Sequence, residues 1–577
     1  MRKPDAAMHV AKIERRHNGR TYVSYLLRRS YRQGGRVRHQ TLANLSHLPA
    51  PTLDLVRRSL QGEAFFAGRD HFRILASKPH GHVEAVLNTC RRLGLEELLA
   101  SKPCPERTLV LALIVQRILT PGSKLAATRH WKDTTLADEL GVAEADHKQA
   151  YAALDWLLRR QRRIENKLAR QYLGAGAVVL YDVSSSSYEG HTCPLAQRGY
   201  NRDGKKGLPS IVYGLLTDRH GRPLALDVYP GNTADPSTIP DQVHKLRGRF
   251  GRTRVILVGD RGLLTQARID TLRAYPGLGW ISALRSDAIR ELLAQGALAR
   301  DRFEAVDLAE IASPDFPGER LVACYNPLLA ERRRQKRQRL LEATEEGLRK
   351  LEAEVQRRTR TPLTASAIGV KAGRIVGQYK MGKHFQLHMA DGSFRWCRDE
   401  AAIRREEQLD GIYVFRTSEP GSTFPAADCV RTYKRLTLVE QAFRCLKGLD
   451  LRVRPIHHRV EPRVRAHLFL CLLAYYVEWH MRRALKPLLY ADEELEEARD
   501  QRDPVKAAAP SASAQAKKKT HQTSSGEAAH SFASLLAHLG TRTRNTVQIA
   551  SGAEPTTFQL LADPDPLQAE ALRLLTL

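Results

Sequence analysis

The stretch AVVLYDVSSSS (177–187) runs apolar from Ala177 to Tyr181 and then meets Asp182, and VILVGD (255–260) repeats the arrangement with Asp260. A short apolar run bounded by turn residues reads as a buried strand, and the carboxyl end of such a strand faces the crevice where α/β sheets bind ligands. Taken singly, each aspartate also reads as a cap or loop hydrogen-bond acceptor. Their shared context favours a joint role.

Around these two runs lie SIVYGLLTD (210–218) and RPLALDVYPG (222–231), both strand-like, then PDQVHKLRGRF (240–250) as helix, LLTQARIDTLRAY (263–275) as helix, and WISALR (280–285) as strand. Three strands in a meander followed by α-β-α-β is the element order of a ribonuclease H-like core, α/β in class. That order makes the first and fourth strands neighbours and brings Asp182 beside Asp260. Adjacent carboxylates repel, and a divalent cation resolves the repulsion.

Working outward, residues 1–80 carry TYVSYLLRRSYR and RVRHQTLANL joined by Gln33-Gly34-Gly35, which predicts a basic β-hairpin with 16 Lys and Arg against 5 Asp and Glu. This module is a candidate for DNA contact, the alternative being a solvated basic surface. Residues 81–173 predict a bundle of about four helices, with breaks at Pro103, Pro105 and Pro121-Gly122. The first part of the core occupies 174–285, and a large mixed β and helical insertion is expected over 286–425. In that insertion, Leu341, Leu348 and Val355 recur every seven residues in an Arg-rich run, which predicts a long helix or helical hairpin, while GRIVGQYK (373–380), HFQLHMADGSFRWC (384–397) and GIYVFRTS (411–418) read as β. The last part of the core, 426–498, returns to helix. Low-complexity 499–528 predicts a flexible linker, and 529–577 a small helical tail.

The chain has 577 residues, with 92 Lys and Arg against 63 Asp and Glu and a formal net charge of +29. That balance points to a polyanionic partner, nucleic acid first. A hydrophobic content of 42% excludes wholesale disorder. Eight scattered cysteines without a C-x-x-C pair fit a reduced, cytosolic protein. The apolar runs at 109–115 and 467–479 are shorter than the roughly 20 residues of a membrane span, so no membrane is expected. His457 and His458 form a pair without a third ligand at zinc spacing.

Glu440 lies in TYKRLTLVEQAFRCLKG (432–448), where Thr437 and Glu440 spell a capping box. Lys447, seven residues on, returns to the same helix face about 10 Å along the axis, so that a carboxylate for metal and a cation for phosphate would share one face. Lys447 also suits a last-turn cation before a helix-ending Gly448.

The set YDVSSSSYEG (181–190), YNRDGKKGLPSIVYGLLTD (200–218), PLALDVYPGNTADPST (223–238), VILVGDRGLLTQARI (255–269) and TYKRLTLVEQAFRCLKGLDLRVRPIHHRVEPRVRAHLFLCLLAYY (432–476) resembles the bacterial insertion-sequence DDE transposases that carry a Tyr-Arg-Glu-Lys signature. The likeness spans roughly residues 80–485. By position, Asp182, Asp260 and Glu440 resemble the family's metal-binding, catalytic triad, and Tyr433 and Lys447 its signature Tyr and Lys. The family pattern puts the signature Arg at Leu436, one residue after Arg435, and by this resemblance Tyr433, Arg435 and Lys447 are expected to contact the DNA backbone. Arg202, Lys205 and Lys206 would add DNA contacts.

The resemblance implies a ribonuclease H-like fold whose third acid follows a large insertion. It further implies two Mg2+ ions, replaceable by Mn2+, double-stranded DNA in the form of terminal inverted repeats and target DNA, and a homodimer in a synaptic complex. The activity implied is cut-and-paste transposition in a bacterial cytoplasm, at the nucleoid. The alternatives are a metal-dependent DNA nuclease on the same fold and a catalytically dead DNA-end-binding regulator.

Overall fold

The computed structural model describes residues 8–63, 72–205, 207–298, 303, 307–506, 508–549 and 556–576. The chain divides into two compact units, residues 1–77 with 544–562 and residues 78–543 with 563–577.

The first unit begins with β1 (Met8–His17), β2 (Arg20–Gln33) and β3 (Arg36–Asn44), an antiparallel sheet in that order, followed by α1 (Ala50–Leu60) and β4 (Phe72–Pro79). The expected hairpin is thus the second half of a three-stranded sheet. Asn18 and Gly19 both take positive φ at the first turn, as a two-residue Asn-Gly hairpin loop requires, and MHVAKIERRH pairs back from there.

In the second unit, α2 (Gly81–Arg92), α3 (Leu95–Leu99), α4 (Pro105–Leu119), α5 (Lys124–His130), α6 (Leu136–Leu140) and α7 (His147–Tyr172) make up the helical region. It holds three helices of eleven residues or more and three short ones. An Asp146 capping box starts α7. Next come β5 (Ala177–Ser187), β6 (Ser210–Asp218), β7 (Pro223–Pro230), α8 (Ile239–His244), β8 (Val255–Val258), α9 (Gln266–Arg273), β9 (Leu278–Ala283) and α10 (Ser286–Ala294). β5, β6 and β7 pair antiparallel in a meander, and β8 runs parallel to β5 and β9 parallel to β8.

The sheet does not stop at β9. After α10, β10 (Leu308–Ile311) and β11 (Arg320–Tyr325) lead through α11 (Pro327–Arg357), α12 (Ala365–Gln378), β12 (Phe385–Ala390), β13 (Ser393–Arg398) and α13 (Glu400–Glu407) to β14 (Ile412–Thr417). β14 pairs antiparallel with β9, giving eight strands in the order β10-β11-β14-β9-β8-β5-β6-β7. The insertion therefore widens the central sheet by three strands. Its outer part has its own core, where Leu341, Leu348, Leu351 and Val355 of α11 meet Ile368 of α12 and Phe385 and Phe394 of the β12–β13 hairpin. GRIVGQYK, expected as β, forms the end of α12. Ile368, Ala372 and Ile375 recur at helical spacing and bury one face against α11, and this packing overrides the β-branched pair at 375–376.

α14 (Ala426–Lys434), α15 (Leu436–Lys447) and α16 (Glu461–Ala484) follow, with α15 packed on β5 and α16 on β7. Covered in this way, β5 and β6 are buried along nearly their whole length, and fully buried aliphatic side chains such as Val179, Leu180, Ile211 and Leu215 stabilise the sheet by about 1.5–3 kcal/mol each. Gly214 is required here, because a Cβ at that position would lie 2.1 Å from the Tyr181 hydroxyl.

The remainder departs from a linker and a helical tail. α17 (Leu495–Gln501) runs into the stretch expected to be flexible, and α18 (Ala512–Thr520) lies inside it, with Val505, Ala514 and Lys517 buried. The Lys517 ammonium pairs with Glu493 and donates to the Lys486 and Leu489 carbonyls, so a polar sequence is held by hydrogen bonds rather than apolar area. After α19 (Phe532–Gly540), β15 (Thr543–Ile549) and β16 (Thr556–Leu561) form a sheet with β4 in the order β16-β15-β4, before α20 (Pro566–Thr576). The tail is therefore part β, because RNTVQI and TTFQLL extend alongside a strand from the other end of the chain. Among the described residues no single helix is long and apolar enough to cross a membrane.

Candidate functional site

The β5–β8 ladder ends with Leu180 opposite Val258, and Asp182 and Asp260 each follow two residues later. The parallel register brings the two acids to the same end of adjacent strands, Asp182 within β5 and Asp260 in the turn that follows β8. Asp182 is half-buried, and its Oδ1 accepts the Val183 N–H at 2.7 Å. Burial pushes its carboxyl up to about 7, and the Asp260 carboxylate adds to the rise while Arg202 opposes it. Asp260 leaves the sheet at Gly259, and its Oδ1 accepts the N–H groups of Gly262 at 3.1 Å and Leu263 at 2.7 Å, which orients the carboxylate in the turn before α9.

Glu440 comes from α15 and is exposed. The capping box expected from Thr437 does not form: the Thr437 hydroxyl donates to the Lys434 carbonyl at 2.9 Å. Only Arg435 separates α14 from α15, and it is itself in the right-handed helical region (φ −67, ψ −13), so the chain enters α15 without the extended residue a capping box needs. Among the described residues no hydrogen bond holds the Glu440 carboxylate.

Asp182, Asp260 and Glu440 line one cavity of about 530 Å3. The three carboxylates make an oxygen donor set for a hard divalent cation, and the Cys324 thiol that also lines the cavity is kept protonated by burial, which pushes it up to about 12. The acids share the cavity without closing on one another. Among the described residues, the group of three ligand-type side chains with donor atoms all within 4.8 Å is instead Cys445, Asp450 and Glu478. There Arg482 already matches the charge, pairing with Glu478 at 2.6 Å and Asp450 at 3.2 Å.

Of the other expected residues, Tyr433 lines the cavity with its ring 4.9 Å from that of Phe415, and burial pushes its hydroxyl up to about 12. Lys447 does not line it. Its ammonium donates to the Ser185 carbonyl at 2.7 Å and the Ser184 hydroxyl at 3.2 Å, and ion-pairs with Asp203 at 2.7 Å. Arg202 ion-pairs with Asp235, and Lys205 with Glu189 at 2.7 Å. Lys206 lies outside the described residues. Arg435 is 7% exposed and is occupied by Asp500 and the Arg219 carbonyl, away from the acids.

Residues 174–477 match the family described as Transposase DDE domain, and residues 10–69 match the IS1634 family transposase N-terminal domain. This chain belongs to the DDE transposase family. It is accordingly a DNA transposase, an enzyme that binds DNA, cuts and transfers its strands, and depends on divalent metal. A solved structure titled as a piggyBac transposase synaptic complex with hairpin DNA aligns over 69% of this chain and 72% of that one, at 11% identity and a TM-score of 0.34. No curated protein matches the chain.

Sequence reasoning about the transposase missed the cations beside the acids. Arg261, Arg333 and Lys434 line the same cavity. The Arg333 guanidinium lies 4.9 Å from the centre of the Tyr413 ring and donates to its hydroxyl at 2.7 Å, which fixes the start of α11 against β14. Arg261 carries the most direct signal, since it follows Asp260 in sequence. Asp203 was also missed. Inside an apparently basic loop, its side chain is 1% exposed and pairs with both Lys447 and Arg454.

Proposed function

We propose that this transposase binds the terminal inverted repeats of its own insertion sequence and moves it by cut-and-paste transposition, with Asp182, Asp260 and Glu440 holding two Mg2+ ions, or Mn2+ in their place. The observation that carries this reading is that Asp182, near the end of β5, and Asp260, two residues past the end of the parallel β8, line one cavity together with Glu440. The order β7-β6-β5-β8-β9, antiparallel and then parallel, supports a ribonuclease H-like core formed by residues 174–285 and 426–498, with 286–425 as its insertion. Residues 1–80 would be a DNA-binding module, and 81–173 a helical domain.

Bound divalent ions would supply an activated water or 3′-hydroxyl and offset charge on the leaving oxygen. The residues of the chain do the rest. Asp260 is oriented by two backbone N–H groups, and Asp182, whose carboxyl burial raises to about 7, would hold the cation as a carboxylate. Arg261, Arg333 and Lys434 place positive charge where a scissile phosphate would enter, and Tyr433 offers a hydroxyl that stays protonated. Lys447 and Asp203 set the position of α15 against β5, and Arg435 docks α17. Arg202 and Lys205, which are ion-paired, and Lys206 would contribute DNA contacts from the loop at 200–207. The enzyme would act as a homodimer in a synaptic complex on nucleoid DNA in the bacterial cytoplasm.

The test incubates the full chain with element-end DNA and Mg2+. Cleavage lost in Asp182→Asn, Asp260→Asn and Glu440→Gln, with DNA binding kept, is the expected result, and cleavage that survives any of them removes that acid from the site. Joining of the cut 3′ ends to a target plasmid separates the transposase from a nuclease. Absence of both reactions would leave an end-binding regulator.

A further inference from the structure

A second cavity, of about 540 Å3, lies between α4, the start of α5, α7 and the segment that leads from α15 into α16. Six of its lining side chains are Lys or Arg, namely Arg117, Lys124, Arg452, Arg454, Arg459 and Arg463, and none is Asp or Glu. Such a concentration of one sign is self-repulsive and costs stability unless an anion offsets it. The deepest members are the least exposed: Lys124 at 2% and Arg117 at 6%.

Among the described residues Lys124 has no carboxylate partner. Its ammonium meets the His467 Nδ1 at 2.9 Å, and the two guanidinium hydrogen bonds of Arg117 go to the carbonyls of Gly122 and Leu451. Burial, and then the Arg117 charge, pull Lys124 down to about 7, and burial followed by Lys124 and Arg117 pulls His458 down to about 3. An unmatched buried cation of this kind is otherwise driven to lose its proton. Arg463 stands at the mouth with its guanidinium 4.6 Å from the centre of the Tyr151 ring and 3.9 Å from the Asp155 carboxylate outside the cavity, and Arg459 is exposed beside it. His457 and His458, which as a pair suggested no metal, fall here among cations, where a metal ion would be repelled.

We propose that this cavity is a phosphate site for the DNA backbone, separate from the cavity of the three acids. The inference rests on the DNA-binding activity of the family and adds a place of contact to it. The site is tied to the β5 strand through Arg454, which ion-pairs with the same Asp203 that holds Lys447. A strand anchored here would be fixed relative to the strand that bears Asp182.

The test measures binding of the full chain to two duplexes of unrelated sequence, in EDTA, by fluorescence anisotropy across a range of salt concentration. Arg459→Gln with Arg463→Gln should weaken binding to both duplexes about tenfold and lower the log–log salt slope by about 0.9 for each phosphate lost. The control removes the same charge at Lys518 and Lys519, exposed on α18. Lys124→Met, checked for folding by its melting curve, should give the same loss from the floor of the cavity. Equal effects of the pocket pair and the control pair would overturn the proposal, as would inorganic phosphate that binds calorimetrically in a Lys124-dependent way while duplex binding is untouched. A wild-type chain that binds no duplex at all would defeat the DNA-binding reading itself, whereas wild-type binding indifferent to these substitutions defeats only the pocket.

Discussion

Lys447 and Asp203 form an ion pair at 2.7 Å in which the carboxylate is 1% exposed and the ammonium 11%. The same carboxylate accepts the Ser187 N–H at 2.8 Å and pairs with Arg454, so one acid joins the 200–207 loop, β5 and the end of α15. Burial opposes its ionisation, yet Lys447, the Ser187 N–H and Arg454 together hold the carboxyl below the usual range. Asp203→Asn would strand two cations beside a neutral amide. We expect a loss of about 3 kcal/mol in urea unfolding, and a fall in cleavage because α15 carries Glu440. Unaltered stability would show that the pair is not what fixes α15.

Divalent metal should stabilise the folded chain through the three acids. At 100 times the dissociation constant the gain is about 2.7 kcal/mol, read as a rise in melting temperature with added Mg2+ or Mn2+. Asp182→Asn should remove most of that rise, while raising the melting temperature in EDTA because it deletes a partly buried carboxylate next to Asp260. A metal-induced rise that persists in Asp182→Asn combined with Asp260→Asn would place the ion elsewhere.

The two aspartates were legible because strand period and chain order suffice to bring them to the same end of adjacent strands. Both apolar runs end in Asp, and the β5–β8 register does what the element order implied. Glu440 was legible by position, although its local sequence spelled a capping box that the near-continuity of α14 and α15 prevents. Harder to read were features decided by partners far away in the chain. β15 pairs with β4 across more than 450 residues, and GRIVGQYK became helix once its apolar face met α11. Arg435 lies one residue from the signature Arg position, and on that ground it was expected to contact DNA. Nothing in that stretch announces Asp500, 65 residues on, which takes up its charge.

Arg435 therefore yields an expectation opposite in kind to that for a phosphate contact. It is buried against Asp500 and the Arg219 carbonyl. Arg435→Ala should cost about 2 kcal/mol by leaving the carbonyl unpaired and loosening α17, without changing the salt slope of duplex binding. A slope lowered by about 0.9 at unchanged stability would return Arg435 to the DNA.

Lys124 gives a pH dependence with a definite sign. Its folded value, about 7, lies below the ordinary 10.5, so the fold prefers the neutral amine. The associated stability is fully present above pH 10.5 and is lost as pH falls through the window from 10.5 to about 7, because the unfolded chain takes up a proton the folded chain resists. The groups that face the amine are Arg117 on α4, His458 before α16, and His467 and Cys471 on α16, none of which supplies a carboxylate. Lys124→Met has no proton to gain. Its stability relative to wild type should rise as pH falls from 10.5 to 7, by on the order of a few kcal/mol at 1.36 kcal/mol per unit, and level off below. Saturating duplex DNA should shrink the difference, since a phosphate in the cavity would favour the charged amine. A pH-independent difference would mean that Lys124 is charged and matched in the free protein, and would remove the unpaired cation from which the phosphate site was inferred.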